Sequence, residues 1–394
     1  MTDALKRFVR EHAGEDTAAL LLKSGRYPGV DVPFAVTQIQ ARRQIRSKLP
    51  SWYACEALVF PSKVAAEQCS SELTAQYKQR FVRSTDLVCD LTGGLGVDAY
   101  FFSRKAGRVH YIERYPDYCE AARLNFRVLG VENITVTEGD GTALLDALPA
   151  PDVIYLDPAR RAAGDKRVFA LPDCEPDLLQ LRETLLRKAP KVVAKLSPMA
   201  DIRHTLSLLP GVTEVHVLSV RNECKELIVV LEREGSGEPP VRCVNFTAEG
   251  AEQVFAFTFG EEAAAVAPPA GEVQAFLYEP NASVLKAGAF KCVAQRFGLQ
   301  KLHPSSHLYT AGEELPAFPG RVFAVEEVFP FTGKTAKTIA RSVPQANVAV
   351  RNFPLPVDEL RKRTRMAEGG SVYLFATTLA GGEKVLVKCR KAGA

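Results

Sequence analysis

The stretch Asp90-Leu-Thr92-Gly93-Gly94-Leu-Gly96-Val-Asp98 brings three glycines and two acids into nine residues. It follows the apolar run Asp86–Asp90, suited to a buried strand, and precedes Ala99–Arg104, which reads as the start of a helix. Strand, glycine-rich turn and helix in that order form the first crossover of a nucleotide-type α/β fold, where backbone and ligand come close. Gly94-x-Gly96-x-x-Ala99 also fits a dinucleotide fingerprint.

The acids choose between ligands. Free N–H groups at a helix N-terminus attract anions, yet Asp90 at the strand end repels a diphosphate. It draws in a ligand that brings an ammonium. S-adenosylmethionine, with an amino group, a carboxylate and a sulfonium, suits this acidic strand end better than NAD.

Further candidates follow at strand ends. Glu113 closes His110-Tyr-Ile-Glu, 17 residues after Gly96, where an acid accepts hydrogen bonds from a ribose. Asp140 lies in Glu138-Gly139-Asp140-Gly141, a tight turn whose acid can take an adenine amino group. Asp157-Pro158-Ala159-Arg160 follows a fourth apolar run. Asp157 and the Pro158 carbonyl can hold an exocyclic base amine with its lone pair turned toward an electrophilic methyl, which is catalysis by positioning. Arg160 offers a stacking plane or a phosphate contact. Lys195 and Ser197, after a fifth run, could touch substrate or simply bury an aliphatic stem. His303-x-x-x-His307 has helical ligand spacing, but Pro304 argues against a helix, so no metal site is expected.

The elements that must position these residues alternate strand and helix from residue 86, the mark of a mostly parallel sheet covered on both faces. Strands are expected at 86–90, 109–112, 134–137, 153–156, 191–195, 214–219 and 227–232, with the last two as an antiparallel hairpin. Helices are expected near 97–106, 117–129, 175–188 and 201–209. Residues 1–84 read as helical, with helices over 35–47 and 63–81, the latter capped by Ser62. Cys69–Lys78 lies in this second helix and leads into the glycine turn; Lys78 is placed to meet a ligand carboxylate. After the Gly- and Pro-rich break at 234–240, residues 241–272 read as a hairpin annex and linker, and 273–319 as a small α+β region with one helix over 283–297. The tail, 320–394, alternates strand and helix.

No apolar run approaches the roughly 20 residues that span a bilayer, and the N-terminus lacks a secretory pattern. The nine cysteines form no C-x-x-C pair, which favours reduced thiols in a cytoplasmic compartment. The net charge of +4 is unevenly spread. From Gly320 onward there are 13 Lys and Arg against 6 Asp and Glu. Lys334, Lys337, Arg341, Arg361, Arg363 and Arg365 could track a phosphate backbone, or form a solvated face.

Taken together, Asp90-x-Thr92-Gly93-Gly94-x-Gly96, Glu113, Gly139-Asp140-Gly141 and Asp157-Pro158-Ala159-Arg160 resemble the class I S-adenosylmethionine-dependent methyltransferases over residues 62–232. The tetrad is similar to the Asn/Asp-Pro-Pro-aromatic motif of amino-methylating members, departing from it at Ala159 and Arg160. Some RNA methyltransferases carry a similar Asp/Asn-Pro-Pro-Arg. The whole chain resembles a bacterial group with a C-terminal THUMP-like domain, in which stretches like Cys69–Lys78 and Leu277–Ala282 recur.

The resemblance implies a Rossmann-like seven-stranded methyltransferase sheet over 85–240, a helical N-terminal region, a small ferredoxin-like domain over 273–319 and a basic THUMP-like domain over 320–394. It implies S-adenosylmethionine as cofactor, held by Lys78, Asp90, Thr92, Gly93, Gly94, Gly96, Glu113, Asp140 and Gly141. It implies methyl transfer to a base nitrogen of ribosomal or transfer RNA, with Asp157, Pro158 and Arg160 at the acceptor. Rival readings are a methyltransferase of small molecules or proteins, an NAD-dependent oxidoreductase and a non-catalytic RNA-binding protein.

Overall fold

The computed structural model describes residues 1–160, with the backbone alone at Arg160, and residues 174–393. They form two compact units: residues 1–213 with 226–236, and residues 214–225 with 237–394.

The first unit opens with six helices: α1 (Asp3–Glu11), α2 (Thr17–Leu22), α3 (Val32–Ile45), α4 (Pro50–Ala54), α5 (Lys63–Gln68) and α6 (Glu72–Lys78). Side chains of Thr2, Asp16, Asp31, Ser62 and Ser71 cap five of them by accepting backbone N–H groups. The single helix expected over 63–81 is two. Cys69 and Ser71 take extended backbone, and Ser71 Oγ accepts the Thr74 N–H at 3.2 Å to start α6. Consecutive serines compete for backbone bonds and favour such a restart. The break turns Ser70 into the interior, where it is buried. Ile45, Leu49, Trp52 and Phe60 share one core cluster with Leu95, Val97 and Phe101, so these helices brace the glycine turn and the helix that it starts.

The sheet of this unit contains β1 (Leu87–Asp90), β2 (Arg108–Glu113), β3 (Ile134–Glu138), β4 (Val153–Leu156) and β7 (Lys191–Leu196). A two-rung ladder of β5 (Ala159–Arg160) and β6 (Cys174–Glu175) lies between the last two in sequence. β8 (Val212–Val220) and β9 (Glu223–Glu232) follow, with the unit boundary falling inside each. The order is β9-β7-β4-β1-β2-β3. All neighbours are parallel except β9, which runs antiparallel to β7. β4 is buried at every position, as a central strand covered on both faces must be. The strand order reverses between β1 and β4, and ligands of open α/β sheets sit at such a switch point. α7 (Val97–Ser103) and α8 (Pro116–Val128) follow β1 and β2. α9 (Leu178–Lys188) starts three residues later than expected, because the Asp177 carboxylate caps it. α10 (Ile202–Leu208) completes the set.

In the second unit, β8 pairs in parallel with β10 (Val241–Phe246), which pairs antiparallel with β11 (Glu252–Phe257). The expected annex is thus part of a β8-containing sheet. α11 (Phe259–Ala264) follows. Seven further strands form one sheet: β12 (Phe276–Pro280), β13 (Gln300–Lys301), β14 (Tyr309–Ala311), β15 (Gly320–Pro330), β16 (Gln345–Arg351), β17 (Ala367–Thr378) and β18 (Lys384–Lys391), in the order β13-β14-β12-β15-β18-β17-β16. The segments on either side of residue 320 are therefore joined by the antiparallel β12–β15 ladder. The helix expected over 283–297 is split into α12 (Ala282–Ala287) and α13 (Phe290–Arg296). Gly288 stands between them in left-handed backbone (φ +76°), its N–H closing on Val284 O at 3.1 Å, a glycine C-cap. α14 (Gly333–Thr338) and α15 (Val357–Thr364) cover one face of the sheet, through Ile339, Leu360, Leu374, Ala376 and Leu386. Leu277, Phe323, Phe375 and Val387 line the other. Among the described residues, no helix is long and apolar enough to cross a membrane.

Candidate active site

The C-terminal ends of β1, β2, β3 and β4 meet along one edge of the first unit's sheet. Asp90 ends β1 and is buried; its Oδ1 accepts the Thr92 N–H at 3.1 Å. Burial drives this carboxyl well above the usual carboxylate range, and the Thr92 bond offsets only part of that. The charges beside it that push the same way are acids: Asp98, Asp157 and Glu113. Such a site gains most from a ligand that brings a positive charge.

The glycine turn is clamped by β2. Gly93 N–H donates to Ile112 O at 2.8 Å, Gly94 N–H to Glu113 Oε2 at 2.8 Å, and the Tyr111 hydroxyl to Gly94 O at 2.6 Å. Gly94 and Gly96 hold left-handed backbone, φ +54° and +83°. Glu113 also accepts the Tyr115 N–H on Oε1 at 3.0 Å. Each carboxylate oxygen keeps a second lone pair for a ribose hydroxyl. Asp140 Oδ1 caps its own turn, accepting Thr142 N, Thr142 Oγ1 and Ala143 N at 2.8, 2.6 and 3.1 Å. The Thr142 hydroxyl bond leads in holding this carboxyl below its usual range. Its Oδ2 faces Arg114 at 3.8 Å. Gly141 lies against the loop after β1; a Cβ there would come within 2.4 Å of Leu91 O.

Asp157 is tied to the same turn: its N–H donates to Thr92 Oγ1 at 2.7 Å. Thr92, expected at the cofactor, thus uses its hydroxyl to join the ends of β1 and β4. Asp157 Oδ2 pairs with Lys195 Nζ at 2.5 Å. Pro158 follows at the same edge, half-buried. The Arg160 side chain lies outside the described residues.

Lys78, expected to reach a ligand carboxylate, ends elsewhere. It is fully buried, and its Nζ lies 2.8 Å from Asp98 Oδ1, 2.8 Å from Glu226 Oε2 and 2.7 Å from Ser70 Oγ. Ser70 Oγ and the Tyr155 hydroxyl donate to Asp98 Oδ2 at 2.7 and 2.9 Å. Lys195 Nζ approaches Ser70 Oγ at 3.4 Å and so joins this network to Asp157. Burial alone would raise the Asp98 carboxyl, but Lys78 and Lys195 outweigh it and hold it low. Burial would likewise lower Lys195, but Asp157, Glu226 and Asp98 outweigh it and keep the amine protonated. Sequence reasoning missed Asp98, Tyr155 and Glu226 as members of one site. Asp98, at the end of the glycine stretch, was the one with a local signal.

In the second unit, Lys334, Lys337, Arg341 and Arg365 are exposed on and beside α14 and α15. Arg361 and Arg363 are instead engaged, with Glu368 at 2.8 Å and Glu359 at 2.5 Å. His303 Nδ1 accepts from Ser305 N and faces Asn352 Nδ2, and His307 stacks on Phe290 at 3.7 Å. Among the described residues, no group of three or more His, Cys, Asp or Glu is arranged to hold a metal.

Comparison with known proteins bears on this geometry. Residues 276–319 match a ferredoxin-like domain model and residues 320–391 a THUMP domain-like model. A crystal structure of a Porphyromonas gingivalis W83 protein classed with the methyltransferases is 42% identical, with a TM-score of 0.89, covering 99% of this chain and 98% of that one. An uncharacterized S-adenosylmethionine-dependent methyltransferase of Mycobacterium tuberculosis (strain ATCC 25618 / H37Rv) is 25% identical over 320 residues, 81% of this chain and 84% of the relative. An uncharacterized RNA methyltransferase of Oceanobacillus iheyensis is 28% identical over 116 residues, 28% of this chain and 22% of the relative. The acidic strand ends, the clamped glycine turn and near full-length likeness to the P. gingivalis protein lead to one conclusion: the chain belongs to the class I S-adenosylmethionine-dependent methyltransferases whose C-terminal region is ferredoxin-like and THUMP-like.

Proposed function

We propose that this methyltransferase acts on a base nitrogen of RNA, with Asp157 at the acceptor. The observation that carries the acceptor assignment is the 2.7 Å bond from Asp157 N–H to Thr92 Oγ1, which seats the carboxylate beside the glycine turn. In this reading the turn Gly93–Gly96 holds the methionine part of the cofactor, Asp90 its ammonium, Glu113 the ribose, and Asp140 with Gly141 the adenine. S-adenosylmethionine, when bound, supplies an electrophilic methyl on a sulfonium. Asp157 accepts an N–H of the acceptor and, with the Pro158 carbonyl, turns the nitrogen lone pair toward that methyl. The proton that the nitrogen sheds on methylation passes by way of the carboxylate to solvent. Arg160 follows as a contact to the base or its phosphate.

RNA as substrate is supported by the THUMP domain-like match, by the resemblance of Asp157–Arg160 to RNA-modifying enzymes, and by the exposed cations Lys334, Lys337, Arg341 and Arg365 of the second unit. Incubation with radiolabelled S-adenosylmethionine and total RNA from a strain lacking the protein is expected to label RNA. Binding to that RNA is expected to weaken steeply with salt. Alanine at Lys334, Lys337 and Arg341 together is expected to flatten the log–log salt dependence by about two, at roughly 0.7 for each phosphate left without its cation. Cofactor uptake with no label in any RNA would refute the substrate assignment.

Asp90→Asn separates affinity from stability. Folding raises this carboxyl, so the folded chain binds its proton more tightly than the unfolded chain does. The stability that this contributes is present at acid pH and is lost as pH rises through the folded value. Asparagine keeps the Thr92 bond without a charge to bury. The expected outcome at pH 8 is a higher melting temperature, together with about tenfold or more weaker S-adenosylmethionine binding, as for loss of a charge-assisted hydrogen bond. Calorimetry showing undiminished affinity would remove Asp90 from the cofactor site.

A further inference from the structure

The acceptor edge holds two ammonium groups and three carboxyl groups in one connected, largely buried set: Lys78, Lys195, Asp98, Glu226 and Asp157. They come from five elements, α6, β7, α7, β9 and the end of β4. Lys78 already has Asp98 and Glu226 at 2.8 Å each. Lys195 stands apart. Its shortest contact is Asp157 Oδ2 at 2.5 Å, and its side chain keeps only 12% of its exposure while that of Asp157 keeps 34%. The amine is thus behind the carboxylate, and the carboxylate is the member that meets the open edge. Asp157 Oδ1 has no hydrogen-bond donor among the described residues.

We propose that Lys195 is the positioning residue of the acceptor site. Held between Asp157 Oδ2 and Ser70 Oγ, it fixes the carboxylate so that Oδ1 alone is offered to the acceptor, and it selects an uncharged N–H group such as a nucleobase amine over a cationic protein amine. The selection follows from charge. A lone carboxylate in a half-buried site attracts cations, and an ammonium has no lone pair with which to take a methyl group. Paired with Lys195, Asp157 has its own charge offset, attracts a cation less strongly and still accepts a hydrogen bond. This inference rests on Asp157 as the acceptor residue and adds how that residue is held.

The other charged or titratable groups around Asp157 act in both directions. Asp90 on β1, Asp98 on α7, Tyr155 on β4 and Glu226 on β9 disfavour its charge or compete for Lys195, while Lys78 on α6 favours it. Burial raises the Asp157 carboxyl, and Lys195 is the strongest influence against that rise. Removing the amine therefore leaves a half-buried carboxylate among acids.

The test uses the full chain labelled with carbon-13 at aspartate carboxyl carbons. The Asp157 signal is assigned by its loss in Asp157→Asn. In Lys195→Met this signal is expected to titrate at higher pH than in the wild-type protein, and Lys195→Arg to return it toward the wild-type midpoint. Lys195→Gln serves as a second neutral variant should Met prevent folding, which thermal melts report. Transfer to total RNA is expected to follow: at pH 6, kcat of Lys195→Met falls by roughly tenfold or more relative to wild type, with cofactor affinity unchanged. An Asp157 midpoint that is the same in folded wild-type and neutral variants overturns the inference. Absence of RNA labelling by the wild-type enzyme, with the titration shift present, overturns the RNA reading and leaves Lys195 in its role.

Discussion

Asparagine at position 157 is expected to reduce methyl transfer by at least about 100-fold while cofactor affinity stays within about twofold of wild type. The backbone protects the cofactor side: the bond to Thr92 Oγ1 comes from the residue 157 N–H and survives the substitution. The loss falls on the acceptor. An amide cannot neutralise Lys195, whose amine then sits buried beside Ser70 without its 2.5 Å partner. The acceptor N–H loses an anionic hydrogen-bond partner, and misplacement of reacting atoms by about 1 Å already lowers rates on the order of 100-fold. Single-turnover transfer with saturating cofactor measures the rate, and calorimetry measures the affinity. A single-turnover rate equal to the wild-type one would take Asp157 out of the mechanism.

Methionine at position 78 is expected to destabilise the first unit by about 3–5 kcal/mol, the usual penalty for removing one partner of a buried ionic cluster. Lys78 is fully buried, and its amine is 2.8 Å from both Asp98 and Glu226. Methionine fills the stem and leaves the buried Asp98 and Glu226 carboxylates without the amine that each of them contacts. At about 2–4 °C per kcal/mol for a unit of this size, the melting temperature drops by roughly 10 °C. The deficit depends on pH. Lys78 and Lys195 hold the Asp98 carboxyl below its usual range. That contribution to stability is present above the ordinary carboxylate range and fades as pH falls through the folded value. The gap between wild type and Lys78→Met is therefore widest near neutrality and narrows in acid. Urea unfolding at several pH values measures it, and a gap below about 1 kcal/mol at pH 7 would contradict the role given to the cluster. The triple change Lys78→Met, Asp98→Asn and Glu226→Gln is expected to recover much of the loss, since buried ion clusters are replaceable by neutral groups of similar shape.

The cluster also explains where the helix break lies. Ser70 reaches Asp98, Lys78 and Lys195 because the chain leaves helical backbone at Cys69 and re-enters at Glu72. A continuous helix would carry Ser70 round with its neighbours, and the link between the two amines would be missing. The sequence pattern for helix formation over 63–81 is sound at each residue, and what overrides it is a set of buried partners whose strands come later in the chain.

What the residues determined by themselves is whatever depends on neighbours in the chain. Asp90, the three glycines and Asp98 form a strand end, a turn and a helix start because each conformation is set within a few residues. Glu113, Asp140 and Asp157 stand at strand ends for the same local reason, and the apolar runs before Glu113 and Asp157 fold as largely buried strands. Tertiary structure alone decided which side chains share a charge. Lys78 meets Glu226 across 148 residues of chain, and Lys195 meets Ser70 across 125. It also decided that β12 and β15 join the segments around residue 320 in one sheet. Coulomb and hydrogen-bond partners are chosen by distance in space, and burial makes those choices strong; neither quantity is written in the order of the residues.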